Sequence, residues 1–132
     1  MQVETFAVNT FGVNCYVVYA KGEAIVVDPG GPSEAVLAFL KREGLKVLAI
    51  INTHGHADHI AGNRWFIEKT GAPLLIHEAD AEYLSDPSLH LGPQLYLDVP
   101  GSKAGRLLAD GDRIEIGGES LTVMHTPGHT GG

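Results

Sequence analysis

Apolar and polar positions alternate from Gln2 to Val8 and again from Val13 to Tyr19. This period of two predicts two antiparallel strands joined through Asn9-Thr10-Phe11-Gly12. Lys21-Gly22-Glu23 reads as a turn into a third strand, Ala24 to Val27, which Asp28-Pro29-Gly30-Gly31-Pro32 breaks. Ser33 then suits the N-cap of a helix from Glu34 to Glu43, with Val36, Leu37 and Leu40 as its apolar stripe and Gly44 at its end. The unbroken apolar run Val47 to Ile51 predicts a buried strand, and Ile60 to Ile67 a helix closing at Thr70-Gly71. Leu74 to Ile76 reads as a short strand and Ala79 to Leu84 as a short helix. Between Ser85 and Gly105 the periodicity fails around Pro87, Gly92, Pro93 and Pro100, as in a long surface or binding loop. Ile114 to Ile116 and Leu121 to Met124 flank Gly117-Gly118 as a hairpin.

The junction between the buried strand and the following helix carries the chemistry. Thr53-His54-Gly55-His56-Ala57-Asp58-His59 places four potential metal ligands within six residues. They lie at the carboxyl end of a strand, where α/β proteins bind their ligands. Extended residues two apart point the same way, so His54 and His56 can grip one ion together. Asp58 and His59 open the helix and point elsewhere, which suits a second ion nearby. Imidazole with carboxylate is a ligand set for zinc or another late first-row metal. His129 stands far away in sequence, but Thr126-Pro127-Gly128 turns the chain sharply after a strand and can throw it toward the same edge. His125 reads as structural, and His77 and His90 have no partner motif. Asp28, closing a strand, is either a turn-starting residue or an acceptor for the second N–H of a liganding imidazole.

His54-x-His56-x-Asp58-His59 resembles the signature of the metallo-β-lactamase-fold hydrolases. Asn14-Cys15-Tyr16-Val17-Val18 with Ile25-Val26-Val27-Asp28-Pro29-Gly30 is similar to that family's opening strands. Asp110-Gly111-Asp112 followed by Leu121 to Thr130 resembles the segment bearing its third first-site histidine. The spacing most resembles the glyoxalase II-like branch, whose members hydrolyse thioesters. The resemblance implies an α/β fold (α+β by some schemes): the N-terminal half of an αββα sandwich, with one mixed sheet and outer helices. It implies one metal on His54, His56 and His129 and a second on Asp58 and His59. Two zinc ions per complete domain are expected, with iron or manganese as alternatives. A metal-bound hydroxide would attack the carbonyl carbon, with Asp58 as ligand and as the residue able to orient or accept a proton. The family continues into a second half that supplies a bridging aspartate and a further histidine, and no residue of this chain matches either. Residues 1–132 are therefore expected to form one domain, incomplete at its C-terminus.

Composition narrows the remaining choices. At 132 residues and 44 % hydrophobic content the chain suits one domain with a full core. Nine basic against sixteen acidic residues give a net charge of −7, which disfavours a nucleic-acid partner. Cys15 is the single cysteine, so no intrachain disulfide forms, and its strand position makes it a small core residue. Trp65, Phe66 and Phe39 read as core aromatics. The absence of a basic start with an apolar block, and of any membrane-spanning run, makes a cytoplasmic protein the expectation, with no membrane partner. The expected partner is a small-molecule ester or thioester, and a homo-oligomer is compatible with the chain. The leading expectation is a binuclear thioester hydrolase acting on an acyl-glutathione. The alternatives are a lactonase or β-lactamase, an iron-dependent sulfur dioxygenase, and an inactive metal-binding fragment.

Overall fold

The computed structural model describes residues 1–132. Six strands form one mixed sheet in sequence order: β1 (Gln2–Val8), β2 (Val13–Ala20), β3 (Glu23–Val27), β4 (Lys46–Ile51), β5 (Leu74–His77) and β6 (Arg106–Leu108). β1 to β3 are antiparallel, and β3 to β6 are parallel. The parallel steps carry crossovers on one face: α1 (Glu34–Arg42) between β3 and β4, and α2 (Ala57–Ile60) with α3 (Asn63–Thr70) between β4 and β5. A separate hairpin, β7 (Arg113–Ile116) and β8 (Glu119–Thr122), turns through Gly117-Gly118, both with positive φ. No helix is long and apolar enough to cross a membrane.

The period of two sorts each strand between the two faces. Ala24 and Val26, Ile50, and Leu74 and Ile76 join Val36, Phe39, Leu40, Ile60 and Phe66 of the helices in the larger core. The intervening Ile25, Ala49 and Leu75 join Leu108, Ile114 and Ile116 on the other face. The hairpin thus covers part of the sheet's inner face and begins a further layer. Cys15 is fully buried in the larger core, and burial, then the Asp28 charge, pushes its thiol up to about 12, which makes it inert. Phe39 and Phe66 are buried core aromatics, and Trp65 packs at the margin of the same core.

α1 has the ends its sequence implies. Ser33 Oγ accepts the Val36 N–H, and Gly44 (φ +63°) closes the helix with Gly44 N–H to Lys41 O and Leu45 N–H to Leu40 O. The second helical segment differs from expectation, because it is two helices broken at Ala61-Gly62. A continuous helix would direct the Gly62 N–H to the Asp58 carbonyl. That N–H instead donates to Pro29 O at 2.7 Å, and Asp58 O accepts from Asn9 Nδ2 at 2.8 Å. A side chain at Gly62 would lie 2.6 Å from the carbonyl oxygens of both Gly31 and Pro29. The break therefore presses the short α2, with Asp58 and His59, against the Asp28–Gly31 loop.

Three further boundaries differ. The irregular stretch after Ser85 contains a helical turn, α4 (Pro87–His90), and a 3₁₀ turn (Pro93–Leu95), each started by a proline. β6 is an unforeseen edge strand of three residues, too short to show an alternation. The last strand ends at Thr122 rather than Met124, and Met124 is largely exposed.

Candidate metal centre

His54, His56 and His129 converge although 73 residues separate the last two. One ligating atom from each lies within 4.8 Å of the others. His56 Nδ1 and His129 Nε2 face each other at 3.0 Å. The His54 ring lies 5.1 Å from that of His56 and 4.8 Å from that of His129, centroid to centroid. Ligands about 2.0–2.1 Å from a tetrahedral zinc stand roughly 3.3 Å apart, a spacing close to that of the His56–His129 pair and one toward which the rest of the set would close around an ion.

Asp28 organises the surrounding groups. It is 3 % exposed at the end of β3, with φ +54°, a conformation that costs energy for a residue other than glycine. Its Oδ1 accepts the Thr53 N–H at 2.7 Å, and its Oδ2 accepts the Thr53 hydroxyl at 2.6 Å and His59 Nδ1–H at 3.0 Å. With its own proton committed to Asp28, the Thr53 oxygen accepts from His54 Nδ1 at 3.0 Å. Both Nδ1 atoms are therefore protonated, and Nε2 of His54 and of His59 keeps its lone pair. Asp28 thus fixes two imidazoles, one directly and one through Thr53, rather than merely starting a turn.

The electrostatics favour the neutral form of His54 and His56 and pull His59 the other way. Burial, then the nearby His59 charge, lowers the His54 pKa from 6.5 to about 4, against an opposing pull from Asp28. Burial, then His129, also lowers that of His56. For His59 burial acts downward too, but the hydrogen bond and charge of Asp28, with the Asp58 charge, outweigh it and raise the pKa. A folded-state value below the unfolded one removes stability on acidification. Above pH 6.5 His54 is neutral in both states. Between 6.5 and about 4 only the unfolded chain takes up the proton. Metal-free protein should therefore lose stability relative to His54→Gln across that window. Urea melts at pH 7, 5.5 and 4 check this, and a difference that stays constant contradicts it.

The five residues expected to bind metal fall into two groups. His54, His56 and His129 form the three-nitrogen cluster. Asp58 Oδ2 and His59 Nε2 face each other at 3.8 Å beside it, and the His54 and His59 rings are 4.2 Å apart. His125 stays outside, its ring stacked on His77 at 3.9 Å and its Nε2 bonded to Gly131 O. His90 is buried, with Nδ1 accepting the Gly92 N–H. Asn52 and Asn63 escaped the sequence reading. Their amides exchange hydrogen bonds at 3.0 and 2.8 Å, and Asn52 Nδ2 also reaches His59 O, tying the end of β4 to α3. Asn9 was also missed: its Nδ2 bonds both Gly30 O and Asp58 O. Only its position in a turn with positive φ signals it, since asparagine tolerates that conformation.

Comparison with known proteins identifies the family. The sequence model of the metallo-beta-lactamase superfamily matches residues 8–132. An uncharacterised protein of Mycobacterium bovis is 36 % identical over 141 residues, covering 100 % of this chain and 63 % of that protein. A hydroxyacylglutathione hydrolase of Synechococcus is 37 % identical over 111 residues, covering 83 % of this chain and 36 % of the relative. The crystal structure of the B3 metallo-beta-lactamase BLEG-1 superposes with a TM-score of 0.89 at 34 % identity, over 99 % of this chain and 64 % of that one. A protein solved in a di-iron-bound form superposes with a TM-score of 0.80 at 27 % identity, over 98 % and 63 %. The chain spans 63–65 % of the length of the curated relatives it matches first.

Proposed function

The chain belongs to the metallo-beta-lactamase superfamily, and from that premise we propose that it is a metal-dependent hydrolase of carbonyl substrates, foremost thioesters of the acyl-glutathione type. The observation that carries this reading is the convergence of three imidazoles, two of them with lowered pKa, from two distant segments. Three neutral nitrogens leave one position of a tetrahedral ion open, the arrangement of catalytic rather than sealed structural sites. When bound there, the metal lowers the pKa of a water to about 7 and polarises a carbonyl oxygen. His54, His56 and His129 would hold it, while Asp28, through Thr53, keeps the His54 ring in the tautomer that presents Nε2. Asp58 and His59 would hold a second ion beside the first, and Asp58 would orient or accept a proton. Zinc fits the nitrogen-rich set, and iron or manganese fits the carboxylate-containing pair.

Thioester specificity is supported by the hydroxyacylglutathione hydrolase relative. The likeness to a B3 metallo-beta-lactamase favours β-lactams as the second reading. Thiol release from an acyl-glutathione, hydrolysis of a chromogenic cephalosporin and oxygen uptake with a persulfide, measured in parallel, separate these chemistries from sulfur dioxygenation. The expected outcome is thiol release that a chelator abolishes and added metal restores. Activity insensitive to chelation overturns the hydrolase reading. Chelator-sensitive cleavage of the cephalosporin alone transfers it to β-lactams.

A further inference from the structure

The three histidines come from two segments with little else to hold them together. Residues 124–132 contain no strand or helix and are largely exposed, as is His129 itself. Their hydrogen bonds are mostly local: Gly128 N–H to Thr130 O, His125 N–H to Asp110 Oδ1, and His125 Nε2 to Gly131 O. Apart from the meeting of His56 and His129, a single hydrogen bond ties this segment to the side of the molecule bearing His54 and His56. That bond ends on Asp80, which sits on the 3₁₀ segment Glu78–Leu84 and is completely buried.

Asp80 has two bonds in opposite directions. Its Oδ2 accepts the N–H of Gly55, the residue between His54 and His56, at 2.9 Å. Its Oδ1 accepts the N–H of Gly132, three residues beyond His129, at 2.7 Å. The carboxylate makes no ion pair, so these two backbone donors compensate its burial, and a buried carboxylate with neither would be costly. The surrounding packing admits nothing else. A side chain at Gly55 would run into the Tyr83 ring, and one at Gly132 would lie 2.8 Å from Asp80 Cγ. The bonds are therefore short because both glycine backbones close directly on the 3₁₀ segment.

We propose that Asp80 is a positioning residue that locks the His54–His56 loop and the His129 segment into the geometry of one metal centre. This rests on the metal-dependent reading proposed above. Asp80 touches neither metal nor substrate. It acts by keeping the separation of the two ligand segments fixed before a metal arrives, so that binding does not have to order the exposed one. An apolar or amide side chain would fill the same space, but it could not accept from both glycines. In Asp80→Asn the amide NH₂ would face one of the two N–H donors.

The test is metal binding by metal-free wild type, Asp80→Asn and Asp80→Ala, with Zn²⁺ titrated against a chromophoric chelator. The visible spectrum of the Co²⁺ form and the melting of the metal-free proteins are recorded alongside. The expected result is a Kd about 10–100-fold weaker for Asp80→Asn, the range seen when groups behind metal ligands are lost. A weakened tetrahedral Co²⁺ absorption should accompany it. A lower melting temperature with unchanged Zn²⁺ affinity and an unchanged Co²⁺ spectrum would reduce Asp80 to a fold-stabilising residue and overturn the proposal. If both variants fail to fold, amide exchange in wild type decides: the Gly55 N–H should be protected in the metal-free protein, and free exchange there overturns the proposal. A wild type that binds no Zn²⁺ overturns the metal-dependent function and this inference with it. Tight wild-type binding matched by Asp80→Asn overturns this inference alone.

Discussion

Replacing His56 with alanine is expected to abolish metal-dependent hydrolysis and weaken metal binding by about two to three orders of magnitude. Binding energies of about 10–16 kcal/mol for zinc held by four ligands assign roughly 2.5–4 kcal/mol to each, a factor of about 60 to 700 in Kd. No neighbour can substitute. Asp28 holds the His59 ring with its Nε2 turned to Asp58, His125 is stacked on His77, and His90 is buried on Gly92. His56 is half-buried and makes its single polar side-chain contact with His129, so the fold should survive the change. Metal analysis and a Zn²⁺ titration of the folded variant measure the effect. Stoichiometric metal at wild-type affinity in His56→Ala would remove the three-histidine centre from consideration.

The second large effect is a separation of affinities within one chain. The three-histidine cluster offers three nitrogens to one ion, whereas Asp58 and His59 offer two donors at 3.8 Å. A tightly held ion takes about four ligands, so water must supply two at the second position against one at the first. One fewer protein ligand, at roughly 2.5–4 kcal/mol, predicts a second binding event about 60- to 700-fold weaker than the first in residues 1–132. Calorimetric titration of Zn²⁺ into metal-free protein should resolve one strong event and one weak one. His59→Ala should erase the weak event and spare the strong one. Two equivalent strong events would mean that further groups of this chain complete the second position. Asp28, whose Oδ2 already lies 3.0 Å from His59, would be the first to examine.

Much of the fold was legible because the determinants were local. The alternation in β1 and β2, the unbroken β4, and the Ser33 cap with Gly44 each express a preference of a few adjacent residues, and the structure places those elements within a residue or two of expectation. Where it differs, a distant partner intervened. α2 and α3 are separate because Pro29 O takes the Gly62 N–H and Asn9 takes the Asp58 carbonyl, contacts that no window around residue 60 contains. β6 forms only because β5 offers it an edge, since its own three residues carry no period to read.

The site divides along the same line. The sequence by itself determined the ligand types, the pairing of His54 with His56 on an extended turn, and the strand–helix junction that presents them, since each follows from residue chemistry and spacing along a few residues. It also excluded a disulfide within residues 1–132 and made Cys15 a core residue. Only the tertiary structure decided that His129 reaches that turn, that Asp28 holds His59 directly and His54 through Thr53, and that Asp80 reaches the backbone on both sides of the centre. Those relations join residues 25 to 73 positions apart, which only the packed sheet and its crossovers bring within hydrogen-bond reach.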